Sequence, residues 1–128
     1  MKKIISTDGA PKAVGAYSQG VELSGMVFTS GQLPINPATG ELNTGDIASQ
    51  AEQSMKNVKA IIESAGLTMD DILKVTILLA DISDFAVVNQ VYESFFTGNY
   101  PARSCFAVKD IPKGAGIEIE AIAGRSCC

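Results

Sequence analysis

The side chains best able to do chemistry lie near the C-terminus, in residues 100–108 (YPARSCFAV) and 116–124 (GIEIEAIAG). The first segment carries a guanidinium, Arg103, and a thiol, Cys105; the second carries Glu118 and Glu120. Both segments alternate as strands do, and strand residues two apart share a face. Arg103, Cys105, Ala107 and Lys109 therefore form one side of the first, and Ala102, Ser104, Phe106 and Val108 form the side expected to pack inward. In the second, Ile117, Ile119, Ala121 and Ala123 stand opposite Glu118, Glu120 and Ile122. If the two strands pair as a hairpin, matching apolar to apolar puts Arg103, Cys105 and both glutamates on one face. A slip of one residue would press Arg103 against isoleucines.

Such a set is either a structural ion pair on a solvated face or a site. As a site, the arginine offers a planar fork that binds a carboxylate through two hydrogen bonds. A glutamate in a partly dry pocket has a raised pKa and can exchange protons with water. Together they suit a small carboxylate-bearing substrate attacked by water. Cys105 as a nucleophile is disfavoured, because the chain has no histidine to take its proton and carboxylates oppose its ionisation. It fits better as a small buried hydrophobe or a main-chain contributor to a pocket.

The rest of the chain limits the alternatives. Its 128 residues are 46% hydrophobic and 19% charged, which reads as one globular domain over residues 1–128. A net charge of −4 without a basic run argues against gripping phosphate backbones. The missing histidine removes the commonest metal ligand, and the Cys127-Cys128 tail alone is a weak zinc signal, so no metal site is expected. Three cysteines, two of them adjacent, do not make a disulfide framework, and a reducing cytoplasm is the simplest location. The opening MKKIISTDGAPK is too short and polar for a signal peptide, and no run is long enough to span a membrane.

The elements that must position these side chains follow from periodicity. AYSQGVELSG and MVFTSG read as two strands joined at Ser24-Gly25, and QLPINPATGELNTG as a loop. Ile47, Ala51, Met55, Val58, Ile61, Ile62 and Ala65 make a helical stripe, with Thr44 or Asp46 as N-cap and Gly66 as its stop. DILKVTILLADI reads as a strand buried on both faces. A second helix opens near Ser83, with Phe85, Val88, Val91, Tyr92, Phe95 and Phe96 on one stripe and Gly98 ending it. The order is β-β-α-β-α-β-β, an α+β fold with a mixed sheet. Right-handed crossovers place both helices on one face. The other face is then uncovered but apolar, which predicts a homo-oligomer with sites in subunit clefts.

YPARSC and IEIEAIA, with GAYSQG, TSGQLP, NVKAIIESAG and DFAVVNQVYESFF, resemble the RidA (YjgF-type) reactive-intermediate deaminases over essentially the whole chain. The resemblance implies a single RidA-like domain with a chorismate-mutase-like fold, assembled as a homotrimer with sites between subunits. It also implies hydrolysis, without a cofactor, of enamine and imine acids such as 2-aminoacrylate and 2-iminobutanoate to 2-oxo acids and ammonia. Such intermediates leak from pyridoxal-phosphate enzymes. Residue by residue, it implies that Arg103 clamps the substrate carboxylate and Glu118 positions or activates the water. Cys105 would line the pocket, chiefly by its backbone, together with Tyr17, Ser30, Gly31 and Asn89. Read without the family, Tyr17 fits a core aromatic equally well, Ser30-Gly31 a turn, and Asn89 a solvent-facing amide. Glu120 reads as solvent-facing or paired with Lys109 or Arg125.

Departures from the family pattern are Ala16, where a proline is common, Gly20, where an alanine is common, and the GRSCC ending. The first loosens the loop that carries Tyr17. Two other functions stay open on the sequence: a 2-oxo-acid-binding regulator without turnover, and a ribonuclease, which the acidic balance and absent histidine disfavour.

Overall fold

The computed structural model describes residues 1–126; Cys127 and Cys128 lie outside the described residues. Six strands form one sheet: β1 (Lys3–Ile5), β2 (Gly20–Leu23), β3 (Met26–Thr29), β4 (Ile72–Leu79), β5 (Ala102–Ala107) and β6 (Ile117–Gly124). Their spatial order is β1-β2-β3-β6-β4-β5. Helix α1 (Ile47–Ser64) links β3 to β4, and α2 (Phe85–Glu93) links β4 to β5. Strands β4 and β5 are parallel, and every other pair is antiparallel.

Most elements lie where the pattern puts them. The β2–β3 turn uses Ser24 and Gly25, both at positive φ (51° and 82°), the two-residue geometry whose twist matches the flanking strands. Asp46 caps α1, its carboxylate accepting from the Ser49 amide at 2.8 Å. Gly66, with φ of 84°, turns the chain away after the last helical turn. Met55, Val58, Ile61 and Ile62 of α1 are completely buried against Val75, Ile77 and Leu79 of β4 and Ile117 and Ile119 of β6. Each of these side chains contributes about 1.5–3 kcal/mol by leaving water.

Four expectations need correction. A short N-terminal strand, β1, extends the sheet beyond β2; its three residues carry too little pattern to be read alone. Helix α2 stops at Glu93, so Phe95 and Phe96 pack on the core from the following turn. In one chain β4 alternates: Val75, Ile77 and Leu79 are buried, while Lys74, Thr76 and Leu78 are half-exposed on the opposite face.

The fourth correction governs the site. Strands β5 and β6 do not form a hairpin, because β4 lies between them and pairs with both. Arg103 pairs with Val75, and Cys105 with Ile77, which puts both on the helix-covered side. Glu118 pairs with Leu78, and Glu120 with Thr76, which puts both on the open side. The predicted inward side of β5 is reversed: Ser104 accepts a hydrogen bond from Lys74 Nζ at 3.2 Å on the open face, and Phe106 is 48% exposed. That open face also presents Ile4, Leu23 and Phe28, each more than two-fifths exposed. Arg125 reaches Asp71 rather than Glu120.

The core predicts a clear cost for truncation. Ile61 is fully buried, and its Cγ2 lies 3.0 Å from where a side chain on Gly20 would begin. Ile61→Ala should lower unfolding free energy by about 2–5 kcal/mol in denaturant titration.

Candidate functional site

Within one chain the predicted residues fall into two groups, on opposite sides of the sheet. The first surrounds Arg103. Its Nη1 donates to Asn89 Oδ1 at 2.6 Å, and Asn89 Nδ2 donates to Glu93 Oε1 at 3.1 Å. The guanidinium also lies against the rings of Tyr92 and Phe85, 4.9 and 5.4 Å from their centroids. Cation–π contact and the amide clamp fix the plane of the fork. Asn89, which sequence alone read as a solvent-facing amide, is instead the arginine's partner from α2. A hollow of about 360 Å³ lies here, lined by Asn89, Tyr92, Tyr100 and Arg103 among others.

Cys105 sits two residues along, half-buried against the core rather than lining that hollow. Burial pushes its thiol pKa up, and the nearby Arg103 only partly opposes this. A thiol held protonated is a poor nucleophile. The hydroxyl of Tyr92 is likewise pushed up by burial, to about 12, with Arg103 acting in the other direction. Neither group is an acid or base for neutral pH.

The second group surrounds Glu118, at the edge of a cleft of about 790 Å³. Tyr17, Ser30, Gly31, Gln32, Lys12 and Lys113 share its walls. Tyr17 is 50% exposed, so it is no core aromatic; its hydroxyl accepts from the Val14 amide at 3.4 Å. Ser30 Oγ donates to Ser18 O at 2.6 Å, which holds the loop and leaves the hydroxyl oxygen able to accept. Gly31 lets the carboxyl sit close: a side chain on it would begin 2.7 Å from Glu118 Oε2 and would displace that carboxylate. Burial is the main reason the Glu118 carboxyl is pushed above its ordinary value, and the charge of Glu120 adds to the effect. A carboxyl so placed is better suited to exchanging protons with water near neutrality.

Sequence reading missed the side chains that hold the cleft walls. Asn57 of α1 is completely buried, and its Nδ2 donates to Leu33 O and Ile35 O at 3.1 and 2.9 Å. Gln50 ties Gly116 N and Gly45 O at 2.9 Å each. Gln19, 4% exposed, bonds the segment before β2. The available signal was an amide on an otherwise apolar helical stripe, as at Asn57, since such a group must find partners inside.

Residues 7–124 match the family model described as endoribonuclease L-PSP. The 2-iminobutanoate/2-iminopropanoate deaminase of Escherichia coli K12 is 55% identical over 128 residues, covering 98% of this chain and 99% of the relative. The crystal structure of Escherichia coli TdcF with bound serine superposes with a TM-score of 0.93 at 52% identity, covering 97% of this chain and 99% of that one. That of RidA from an Antarctic Psychrobacter gives 0.92 at 46% identity, covering 96% and 99%. The chain is thus an α+β protein of the endoribonuclease L-PSP type. It belongs to the RidA (YjgF-type) family within that description.

The raised Glu118 pKa has a signed consequence. Below the ordinary carboxyl range both folded and unfolded states carry the proton, and there is no penalty; as pH rises through the folded pKa, ionisation costs the fold stability. Glu118→Gln should therefore gain thermal stability relative to wild type at pH 7, with the difference shrinking toward pH 4. A pH series of melting temperatures checks this. Gly31→Ala, by displacing the same carboxylate, should lower any Glu118-dependent activity more than tenfold.

Proposed function

We propose that the chain is a hydrolytic deaminase of reactive enamine and imine acids, with 2-aminoacrylate and 2-iminobutanoate as its substrate class. Full-length identity of 55% to a protein named for that reaction supports the activity. The observation that supports this site is that the chain carries, on opposite sides of the sheet, a guanidinium clamped by Asn89 and a carboxyl of raised pKa.

In the proposed reaction, Arg103 receives the substrate carboxylate through the N–H groups not given to Asn89. The enamine tautomerises to the imine, water attacks the imine carbon as Glu118 takes its proton, and Glu118 returns that proton to the nitrogen, which receives the electron pair of the C=N bond. The carbinolamine then loses ammonia, so R–C(=NH)–COO⁻ and water become the 2-oxo acid and NH₃. Tyr17, Ser30 and Gly31 line the water side, Asn89 steadies the arginine, and Cys105 contributes main chain beside it. No cofactor is needed for this sequence of steps.

Because Arg103 and Glu118 leave opposite faces of one sheet, the proposal requires a second copy to complete each site. The exposed apolar residues of the open face support packing between copies, and the proposed assembly is a chorismate-mutase-like homotrimer of RidA-like domains spanning residues 1–128, in keeping with the family resemblance. Among the described residues no helix is long and apolar enough to cross a membrane, and a cytoplasmic location is part of the same proposal. The TdcF structure with bound serine gives one specific ground for a second reading, binding of small amino or 2-oxo acids without turnover.

Adding the protein to a threonine or serine dehydratase should speed keto-acid release. Arg103→Ala and Glu118→Ala should each remove at least about 99% of that acceleration, the first by loss of substrate positioning and the second by loss of an acid–base group. Full activity in either variant overturns the assignment. No acceleration by wild type, with 2-oxo-acid binding that needs Arg103 but survives Glu118→Ala, would favour the binding reading.

A further inference from the structure

Between β1 and β2 the chain crosses the cleft wall without secondary structure. Apart from a turn at Asp8-Gly9, segment 7–18 has no regular main-chain pairing among the described residues. Yet Pro11, Lys12, Val14 and Tyr17 of this segment all line the cleft. Something else must hold it, since an untethered polar backbone would sample many arrangements.

Ala10 is buried in the core and Ser30 Oγ holds Ser18 O, and the polar main chain of Thr7, Ala10 and Pro11 is tethered by one side chain. The carboxamide of Gln19 accepts from the Thr7 amide at 2.7 Å, and its Nε2 faces Thr7 O, Ala10 O and Pro11 O at 2.9, 3.2 and 2.8 Å. The Thr7 N–H needs an acceptor and the carbonyls need a donor, so the amide fits in one orientation only. The main chain of the same residue ties a second wall: Ser30 N donates to Gln19 O at 2.8 Å, next to the Ser30–Ser18 bond. The Gln19 side chain is buried and its bonds are buried or partly so, and its neighbour Gly20 begins the paired register of β2 with β1 and β3. One rigidly placed residue thus connects the sheet, the Tyr17 segment and the Ser30-Gly31 loop.

We propose that Gln19 is a positioning residue of the deaminase site: its amide brings the Tyr17 wall to the cleft that holds Glu118. It does not touch the reacting atoms and acts through Tyr17 and Ser30. The inference rests on the deaminase reading for its kinetic consequence, while its structural half stands without it.

The test uses Gln19→Met, which keeps the length and removes every polar atom, with Tyr17→Phe and the double variant. In the dehydratase-coupled assay, Gln19→Met should lower kcat/KM about tenfold or more, as a misplaced wall does. Tyr17→Phe should cost about fivefold or more in the wild-type background but less than about twofold further in Gln19→Met, because residues acting as one unit are not additive. Wild-type kcat/KM in Gln19→Met, or full additivity, overturns the proposal. Hydrogen exchange separates this from failure of the deaminase reading. In the wild type the Thr7 amide should exchange at least about a hundredfold more slowly than an open loop amide, and this protection should vanish in Gln19→Met. Fast exchange at Thr7 in the wild type overturns the proposal even if the variant does not fold.

Discussion

Everything about the site depends on strand alternation combined with the placement of β4. A side chain on a strand has two possible sides, and pairing partners share theirs. Once β4 separates β5 from β6, Val75 and Ile77 carry Arg103 and Cys105 to the helix side, while Leu78 carries Glu118 to the open side. The sheet itself forbids these groups from meeting within one chain. Each side is nevertheless furnished for chemistry. The guanidinium is held by Asn89, Tyr92 and Phe85, and the carboxyl sits against Gly31 in a wide cleft.

On the proposed reading, the two groups on opposite faces become one site only across an interface. The open face has the character such an interface needs, with exposed Ile4, Leu23, Phe28 and Phe106 beside the Lys74–Ser104 hydrogen bond. Association on the apolar face would remove further water from around Glu118, which already has a raised pKa through burial. On the proposed reading, assembly and pKa tuning are therefore one event. The arrangement also gives a reason for the thiol near the arginine to stay protonated: Cys105 packs against the core, and burial outweighs the charge of Arg103.

Much of this was legible in the sequence where periodicity is long. The α1 stripe, its Asp46 cap and the Ser24-Gly25 turn follow from local rules whose physics lies within a few residues. The alternation of β5 and β6 was also readable, but which face of each met the core was not. That depends on β4 inserting between them, a non-local choice that a hairpin assumption hides. Family resemblance singled out Arg103 and Glu118 as residues without showing their separation. Gln19 and Asn57 escaped notice because an amide's role depends on which carbonyls the fold brings to it. Helix α2 was read too long because Phe95 and Phe96 keep contact with the core after the helix has ended.

The central claim is that Arg103 of one copy works with Glu118 of another. Mixing inactive Arg103→Ala and Glu118→Ala proteins, then dissociating and reassembling them together, tests it directly. At equal proportions, interfaces receiving an intact half from each parent should restore about a quarter of wild-type deaminase activity. If the reassembled mixture stays as inactive as its parents, each site lies within one chain and the account is wrong.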